Sequence, residues 1–141
     1  SRTISIGGGG TITPLTWLNI VFTSGYAWNV SSIDAINNYS SQTVRTATQR
    51  IKFNVFVTKQ FTFSTTIEGN YNNLTEKNRQ TWFGDMLFKY KLKHIELDLQ
   101  ANNLFNQRQY TRVNYSGLDI YSSTSQLRPL NIVGTIRFKI L

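Results

Sequence analysis

Few residues of this chain have types and spacings that could do chemistry. The run Gly7–Gly10 is not followed by the Gly-Lys-Ser/Thr of a phosphate-binding loop, so a closely packed strand is the better interpretation. His94 is the only histidine and there is no cysteine, so multi-histidine and thiolate metal sites have no donors in this sequence. Glu96 and Asp98 would share one strand face, but an acid–base pair needs two unlike environments, and nearby basic residues favour a structural charge ladder. We therefore expect no enzyme, no metal site and no cofactor.

A second group of candidates consists of arginines and tyrosines in a long polar segment, residues 106–126. Their guanidinium and phenol groups could contact a bound ligand through hydrogen bonds and ring contacts. They could equally pack against one another. These candidate ligand contacts are Arg108, Tyr110, Arg112, Tyr115 and Tyr121.

Composition leaves several classes of protein open. The chain has 141 residues and 40% hydrophobic content, which is enough for one ordinary domain. No apolar run approaches the roughly eighteen residues of a membrane-spanning helix. Fifteen basic residues against seven acidic ones give a net charge of +8, which fits nucleic acid, anionic lipid headgroups or a basic pore lining. The positions of the charges must therefore distinguish these classes.

Apolar and polar residues alternate with period two along most of the chain, and no helical stripe interrupts them. The pattern predicts an all-β fold, an antiparallel meander of about seven strands. Lengths of about thirteen to sixteen residues would exceed the usual five or six of globular sheets and would cross a bilayer when tilted. The predicted strands are residues 3–12, 18–29, 50–57, 61–71, 79–90, 94–102 and 130–140.

Short turns alternate with long polar loops between these strands. The short turns are predicted near Pro14, at residues 58–60 and at Leu92–Lys93, and the long loops at 31–42, 72–78 and 106–126. Short turns at one end and long loops at the other are typical of transmembrane β-barrels. Large aromatic residues near the strand ends favour the same architecture, because such rings prefer the bilayer interface. They are Trp17, Phe61 and Tyr90 at one end, and Trp28, Tyr71, Trp82 and Phe105 at the other.

Two segments, ELDLQANNLFNQRQY and LRPLNIVGTIRFKIL, resemble the end of TonB-dependent outer-membrane receptors and related outer-membrane β-barrel proteins of Gram-negative bacteria. In that family an NLFN turn leaves the penultimate strand, a tyrosine follows, here Tyr110, and a pair such as Arg128 and Pro129 opens the last strand. The turn residues are Asn103, Leu104, Phe105 and Asn106.

The resemblance also gives the last strand a role, because its alternating apolar residues are read by the barrel assembly machinery. Leu141 extends this strand by one residue, whereas the family usually ends on an aromatic residue in phase with the others. The residues of this C-terminal assembly signal are Ile132, Ile136, Phe138 and Ile140.

The resemblance implies the following function and surroundings. Residues 1–141 would be the C-terminal part of an outer-membrane β-barrel of about twenty-two strands, with the plug and the N-terminal strands absent from this sequence. The activity would be active uptake of a nutrient, a glycan, peptide or metal chelate, across the cell outer membrane. The partners would be outer-membrane lipid and lipopolysaccharide, the remainder of the barrel and plug, TonB through the missing N-terminal part, and the barrel assembly machinery. Nucleic acid is not among them.

Two alternatives remain open at this stage, because period two alone does not separate a membrane barrel from a soluble sandwich. One is a soluble β-sheet module that binds carbohydrate or protein through its aromatic residues. The other is a basic domain of the OB type that binds single-stranded nucleic acid. The first would dissolve without detergent, and the second would lose affinity steeply with salt.

The alternation also fixes an expected register. With Leu92–Lys93 as a two-residue loop, Lys89 would lie opposite Glu96, and the turn at 58–60 would place Arg50 opposite Glu68. One face of the sheet would carry the apolar residues. Its predicted members include Phe53, Val55, Phe63, Ile67, Met86, Phe88, Leu97 and Leu99.

Overall fold

The computed structural model describes residues 2–35, 38–75, 79–116 and 119–139. Every regular element in these ranges is a strand. The described residues include no helix that is long and apolar enough to span a bilayer. The strands are β1 Arg2–Leu15, β2 Leu18–Ala35, β3 Asn38–Phe56, β4 Phe61–Asn72, β5 Gln80–Lys91, β6 Ile95–Asn102, β7 Gln109–Ser116, β8 Asp119–Gln126 and β9 Asn131–Phe138.

Seven strands form one antiparallel sheet in the order β1-β2-β3-β4-β5-β6-β9. The other two, β7 and β8, pair only with each other as a hairpin inserted between β6 and β9. The all-β fold and the seven-stranded antiparallel meander are therefore confirmed. The seven strands of the sheet correspond to the seven segments with period-two alternation.

The sheet has an apolar face and a polar face, because the cross-strand register keeps residues of the same phase side by side. All eight residues predicted to share the apolar face do so. The apolar face comprises Ile4, Ile6, Ile12, Leu18, Ile20, Phe22, Tyr26, Trp28, Ile51, Phe53, Val55, Phe61, Phe63, Ile67, Tyr71, Trp82, Met86, Phe88, Tyr90, Ile95, Leu97, Leu99, Ile132, Ile136 and Phe138. The polar face carries Arg50, Lys52, Glu68, Asp85, Lys89, Glu96, Asp98 and Arg137.

The strand lengths differ from the prediction in both directions. β2 and β3 have 18 and 19 residues and replace most of the loop predicted at 31–42, whereas β6 and β9 have 8 each. The loop predicted at 106–126 contains the β7–β8 hairpin. The sequences of these segments are rich in serine and asparagine and show no period-two alternation, but strands can form there because neighbouring strands satisfy the backbone hydrogen bonds.

The register prediction is right at one turn and wrong at the other. Arg50 lies opposite Glu68, as predicted. Lys89 lies opposite Asp98 instead of Glu96. The cause is the turn: Leu92 donates its N–H to the carbonyl of Ile95 at 2.7 Å, so the two-residue loop is 93–94. A shift of two residues keeps every side chain on its predicted face.

The apolar face has no second layer among the described residues. The one hydrophobic residue that is buried among the described side chains, Val44 at 3% exposure, lies in the polar phase of β3, while Ile6 and Ile132 on the apolar face each expose 67%. The accessible surface of the chain is 10544 Å². A compact monomer of 16.2 kDa would have about 7,400 Å². The sheet therefore leaves a large apolar surface uncovered, which a stable protein must bury against something else.

Candidate functional site

The NLFN turn is built around two asparagines with left-handed backbones. Asn103 has φ of 58° and Asn106 has φ of 51°, a conformation that asparagine tolerates better than most residues. Asn103 donates its backbone N–H to Asp85 Oδ1 at 2.9 Å. Its side-chain amide donates to the carbonyls of Gln107 at 2.8 Å and Arg128 at 2.7 Å, and its Oδ1 accepts the N–H of Gln107 at 2.9 Å. One side chain thus joins the residues before and after the hairpin.

The other residues of the turn attach it to the sheet. Leu104 donates its N–H to the carbonyl of Gly84 at 2.8 Å. The ring of Phe105 fills the space beside Gly84, where a Cβ would approach Phe105 Cε2 to 2.8 Å. Asn106 Oδ1 accepts the N–H of Leu130, just before β9, at 3.2 Å. The turn therefore holds together β5, both ends of the hairpin and the start of the last strand.

The β7–β8 hairpin lies against the polar face of the sheet. Tyr110 of β7 makes an edge-to-face contact with Phe83 of β5, with ring centroids 5.6 Å apart at 71°. The hairpin closes on itself through Thr111 and Thr124, whose hydroxyls are 2.9 Å apart. Leu127 donates its N–H to the carbonyl of Arg108 at 2.9 Å, which fixes the base of the hairpin.

A cavity of about 210 Å³ lies between this hairpin and strands β3, β4 and β5. Thr46, Asn70 and Thr81 contribute to its wall from the sheet. Tyr110 and Arg112 contribute from the hairpin, and Arg79 from the connection that precedes β5. Among the described lining residues these two arginines are the only charged groups, and the rest of the wall is mostly hydroxyls and amides. We call this space the hairpin cavity.

A second cavity, of about 430 Å³, lies beside the NLFN turn. Its charged lining residues are Glu68, Asp85 and Arg128, and the asparagine amide of Asn103 also faces it. Both carboxylates already accept hydrogen bonds, Glu68 from the Asn70 amide at 3.0 Å and Asp85 from the turn. The lining of this cavity carries charges of both signs, two acidic and one basic, whereas the charged groups of the hairpin cavity are all basic.

A cluster of four charged residues crosses β5, β6 and β9 on the polar face. Arg137 contacts Glu96 at 3.0 Å and Asp98 at 2.9 Å, and Lys89 lies 4.0 and 3.9 Å from the same two carboxylates. Each acid therefore has a basic neighbour on both sides. This arrangement is the predicted charge ladder, and it fixes the register of the last strand by cross-strand pairing.

The predicted ligand contacts do not all lie at one site in the structure. Tyr110 and Arg112 line the hairpin cavity. Arg108 is exposed at the base of the hairpin and is not part of that lining, and Tyr121 is 60% exposed on β8. The side chain of Tyr115 lies outside the described residues.

The residues of the predicted assembly signal lie on the apolar face as far as they are described. Ile132, Ile136 and Phe138 are exposed by 67%, 61% and 69%. They lie opposite Ala101, Leu97 and Ile95 of β6. Ile140 lies outside the described residues.

Comparison with known proteins finds no matching family model, no matching curated protein and no matching solved structure. The described residues also contain no group of three or more acidic, histidine or cysteine side chains arranged to hold a metal ion.

Sequence reasoning missed two residues of this region. Phe83 is an apolar residue in the polar phase of β5, and this break in the alternation was a usable signal that something packs over the polar face there. Arg79 lines the same cavity as Arg112, thirty-three positions further along the sequence. No local pattern relates these two residues, since only the fold of the hairpin over the sheet joins them.

Proposed function

We propose that this chain is the C-terminal wall of an outer-membrane β-barrel of the TonB-dependent receptor type, which takes up a nutrient actively. The observation that carries the proposal is the uncovered apolar face, which continues across all seven strands of the sheet. In the proposed barrel this face contacts lipid and the polar face lines the interior.

Aromatic residues border the apolar face at both ends. At the short-turn end, Phe61 and Tyr90 are cross-strand partners with ring centroids 6.5 Å apart. Trp17 lies in the β1–β2 turn at the same end of the sheet, where its carbonyl accepts the N–H of Phe56 at 2.8 Å. The row at the long-loop end consists of Tyr26, Trp28, Tyr71, Trp82 and Phe105. Such rows are expected at the two interfaces of a bilayer.

The distance between the rows supports a lipid-facing band. Phe61 and Tyr71 are ten residue steps apart on β4. That separation is about 33 Å at a rise of about 3.3 Å per residue. With the tilt of about 40° that is typical of such barrels, the height becomes about 25 Å, the same as their apolar band. A soluble sandwich would instead need a second sheet about 10 Å from the apolar face.

The sheet is open at two edges in the described part of the chain, because β1 and β9 each pair on one side only. Unpaired backbone groups are very costly within lipid. The proposal therefore includes pairing of both edges with further strands of the barrel. The plug, TonB and the barrel assembly machinery enter as partners through the resemblance of the NLFN turn and the last strand to the receptor family.

The hairpin supports a role in substrate contact. It extends from the long-loop end and covers part of the polar face, so in a barrel it would narrow the interior from the outer side. Outer loops that fold inward in this way are positioned to select what enters. The proposed activity is binding and uptake, with no chemical step assigned to any residue.

The proposal is tested by fractionating cells that produce the protein. We expect it in the outer-membrane fraction, resistant to high salt and extracted only by detergent. Uptake of the nutrient should stop when the TonB system or the proton gradient is removed. Recovery in the soluble fraction would favour the alternative, a soluble β-sheet module that binds carbohydrate or protein, and would refute the membrane assignment.

A further inference from the structure

The hairpin cavity has a one-sided charge. Arg79 and Arg112 are its only charged residues in the described lining. Neither guanidinium makes an ion pair or a hydrogen bond with any described residue. Two unpaired guanidinium groups on one small space create a positive potential that favours an anion.

Each acidic residue that the structure describes on the polar face forms an ion pair or accepts a hydrogen bond. Glu96 and Asp98 are paired with Lys89 and Arg137, and Asp85 accepts the backbone N–H of the NLFN turn. Glu68 accepts from the amide of Asn70. None of these four carboxylates lines the hairpin cavity, so no described acidic side chain neutralises the two exposed arginines there.

The uncharged part of the lining indicates what surrounds the anion. Thr46, Asn70 and Thr81 present hydroxyl and amide groups, and Tyr110 adds a phenol. Thr81 is itself 7% exposed, so it forms a buried polar part of the wall. Groups of this kind match a ligand rich in hydroxyls better than an apolar one, because an apolar ligand would displace water from them without offering hydrogen bonds in return.

The size of the cavity limits the ligand. Its volume of about 210 Å³ is below the roughly 300–1,000 Å³ of pockets that enclose a drug-sized molecule. It is several times the roughly 30 Å³ that one water molecule occupies. A single sugar residue with one acidic group is a ligand on this scale.

We propose that the hairpin cavity binds the acidic residue of a charged saccharide, with its anionic group on Arg79 and Arg112 and its hydroxyls on the threonine and asparagine side chains. This assignment rests on the proposed uptake function, for which it names the substrate class. It assigns the two arginines to charge recognition and the sheet residues to recognition of the sugar.

The test is calorimetric titration of the whole purified protein, kept in detergent if it extracts from membranes. The probes are digalacturonate, its neutral counterpart galactobiose, and inorganic sulfate. We expect digalacturonate to bind about tenfold or more tightly than galactobiose and sulfate. Its affinity should fall as sodium chloride rises from about 50 to about 300 mM.

Matched variants identify the residues responsible. Arg79→Gln and Arg112→Gln should each weaken digalacturonate binding about tenfold or more, because each removes a charged hydrogen-bond donor. Arg112→Lys keeps the charge and should retain most of the affinity. Arg108→Gln makes the same change of charge on the exposed base of the hairpin, outside the cavity, and should bind within about twofold of the unaltered protein.

Several outcomes would overturn the assignment. They are equal binding of galactobiose, sulfate binding as tight as that of digalacturonate, no binding of digalacturonate, or an equal loss in the Arg108→Gln and Arg112→Gln variants. The binding test and the membrane test can fail separately. If the protein is soluble but shows this binding profile, the proposed binding site stands and the membrane proposal is refuted. If it is in the outer membrane but lacks this profile, the membrane proposal stands and the binding site is refuted.

Discussion

Replacing Met86 by arginine tests the environment of the apolar face. Met86 lies opposite Thr65 on β4 and Ala101 on β6. Thr65 is near the middle of the interval between Phe61 and Tyr71, so Met86 is near the expected middle of the bilayer. An arginine on the lipid face of a barrel costs about 2 to 4 kcal/mol at the midplane. We expect Met86→Arg to lower the equilibrium constant for folding by about 25- to 700-fold.

Two control substitutions distinguish the effect of depth in the bilayer from the effect of the face of the sheet. Leu97 is on the same face but level with the aromatic row, opposite Tyr90, where an arginine should cost only about 0 to 1 kcal/mol. Gln100, next to Ala101 and so at the depth of Met86, lies on the polar face and is exposed. We expect Gln100→Arg to change stability by less than about 0.5 kcal/mol.

The assay is urea unfolding of the protein in phospholipid vesicles, followed by tryptophan fluorescence. The expected order of destabilisation is Met86→Arg far above Leu97→Arg, with Gln100→Arg smallest. Equal and small effects at all three positions would show that water, not lipid, covers the apolar face. An effect at Gln100→Arg as large as that at Met86→Arg would refute the assignment of the two faces.

Three further predictions concern packing and pairing within the sheet and are measured by the same unfolding assay. Asn103→Ala removes the side chain that joins the two ends of the hairpin and should cost about 1 to 3 kcal/mol; no change would mean that the turn does not hold the hairpin. Gly69→Ala should cost about 1 to 3 kcal/mol, because the new Cβ would come within 2.8 Å of the Trp82 ring. Gly134→Ala, with open space on the same face, should cost less than about 0.5 kcal/mol, and equal losses would contradict this packing. Arg137→Gln breaks two partly exposed ion pairs and should cost about 0.2 to 1 kcal/mol for each, a loss that high salt should reduce.

The seven strands of the sheet could be predicted because one physical constraint acts on each of them. On β4, for example, Phe61 and Phe63 alternate with polar residues, and any sheet with one apolar face imposes that pattern. The assignment of residues to the two faces is correct even where the position of a turn was predicted wrongly. The partner of Lys89 differs from the predicted one by two residues, and Lys89 therefore still lies on the polar face.

The register at that turn was harder to predict for a physical reason. The residues around it, Leu92 to His94, include no glycine or asparagine that would select one turn position. At the preceding turn, Thr58 Oγ1 accepts the N–H groups of Gln60 and Phe61, which pins the loop. The predicted pairing of Arg50 with Glu68 is accordingly correct.

The candidate site was largely beyond sequence reasoning. Polar residues occupy successive positions of the hairpin, for example Ser122 and Ser123 on β8, so its strands carry no alternation to detect. The resemblance pointed to the NLFN turn but not to its task, which depends on contacts with Arg128 and Leu130 far along the chain. Tyr110 and Arg112 were named as ligand contacts, and their convergence with Arg79 depends on the whole sheet being in place.

The central claim, that the apolar face contacts lipid, is most directly tested by spin labelling. This chain has no cysteine, so Met86→Cys and Gln100→Cys each give one defined label position within it. In reconstituted vesicles, a nitroxide at position 86 should collide readily with oxygen and rarely with a water-soluble nickel chelate, and one at position 100 should show the reverse. Ready collision of the nickel chelate with the label at position 86 would contradict the account.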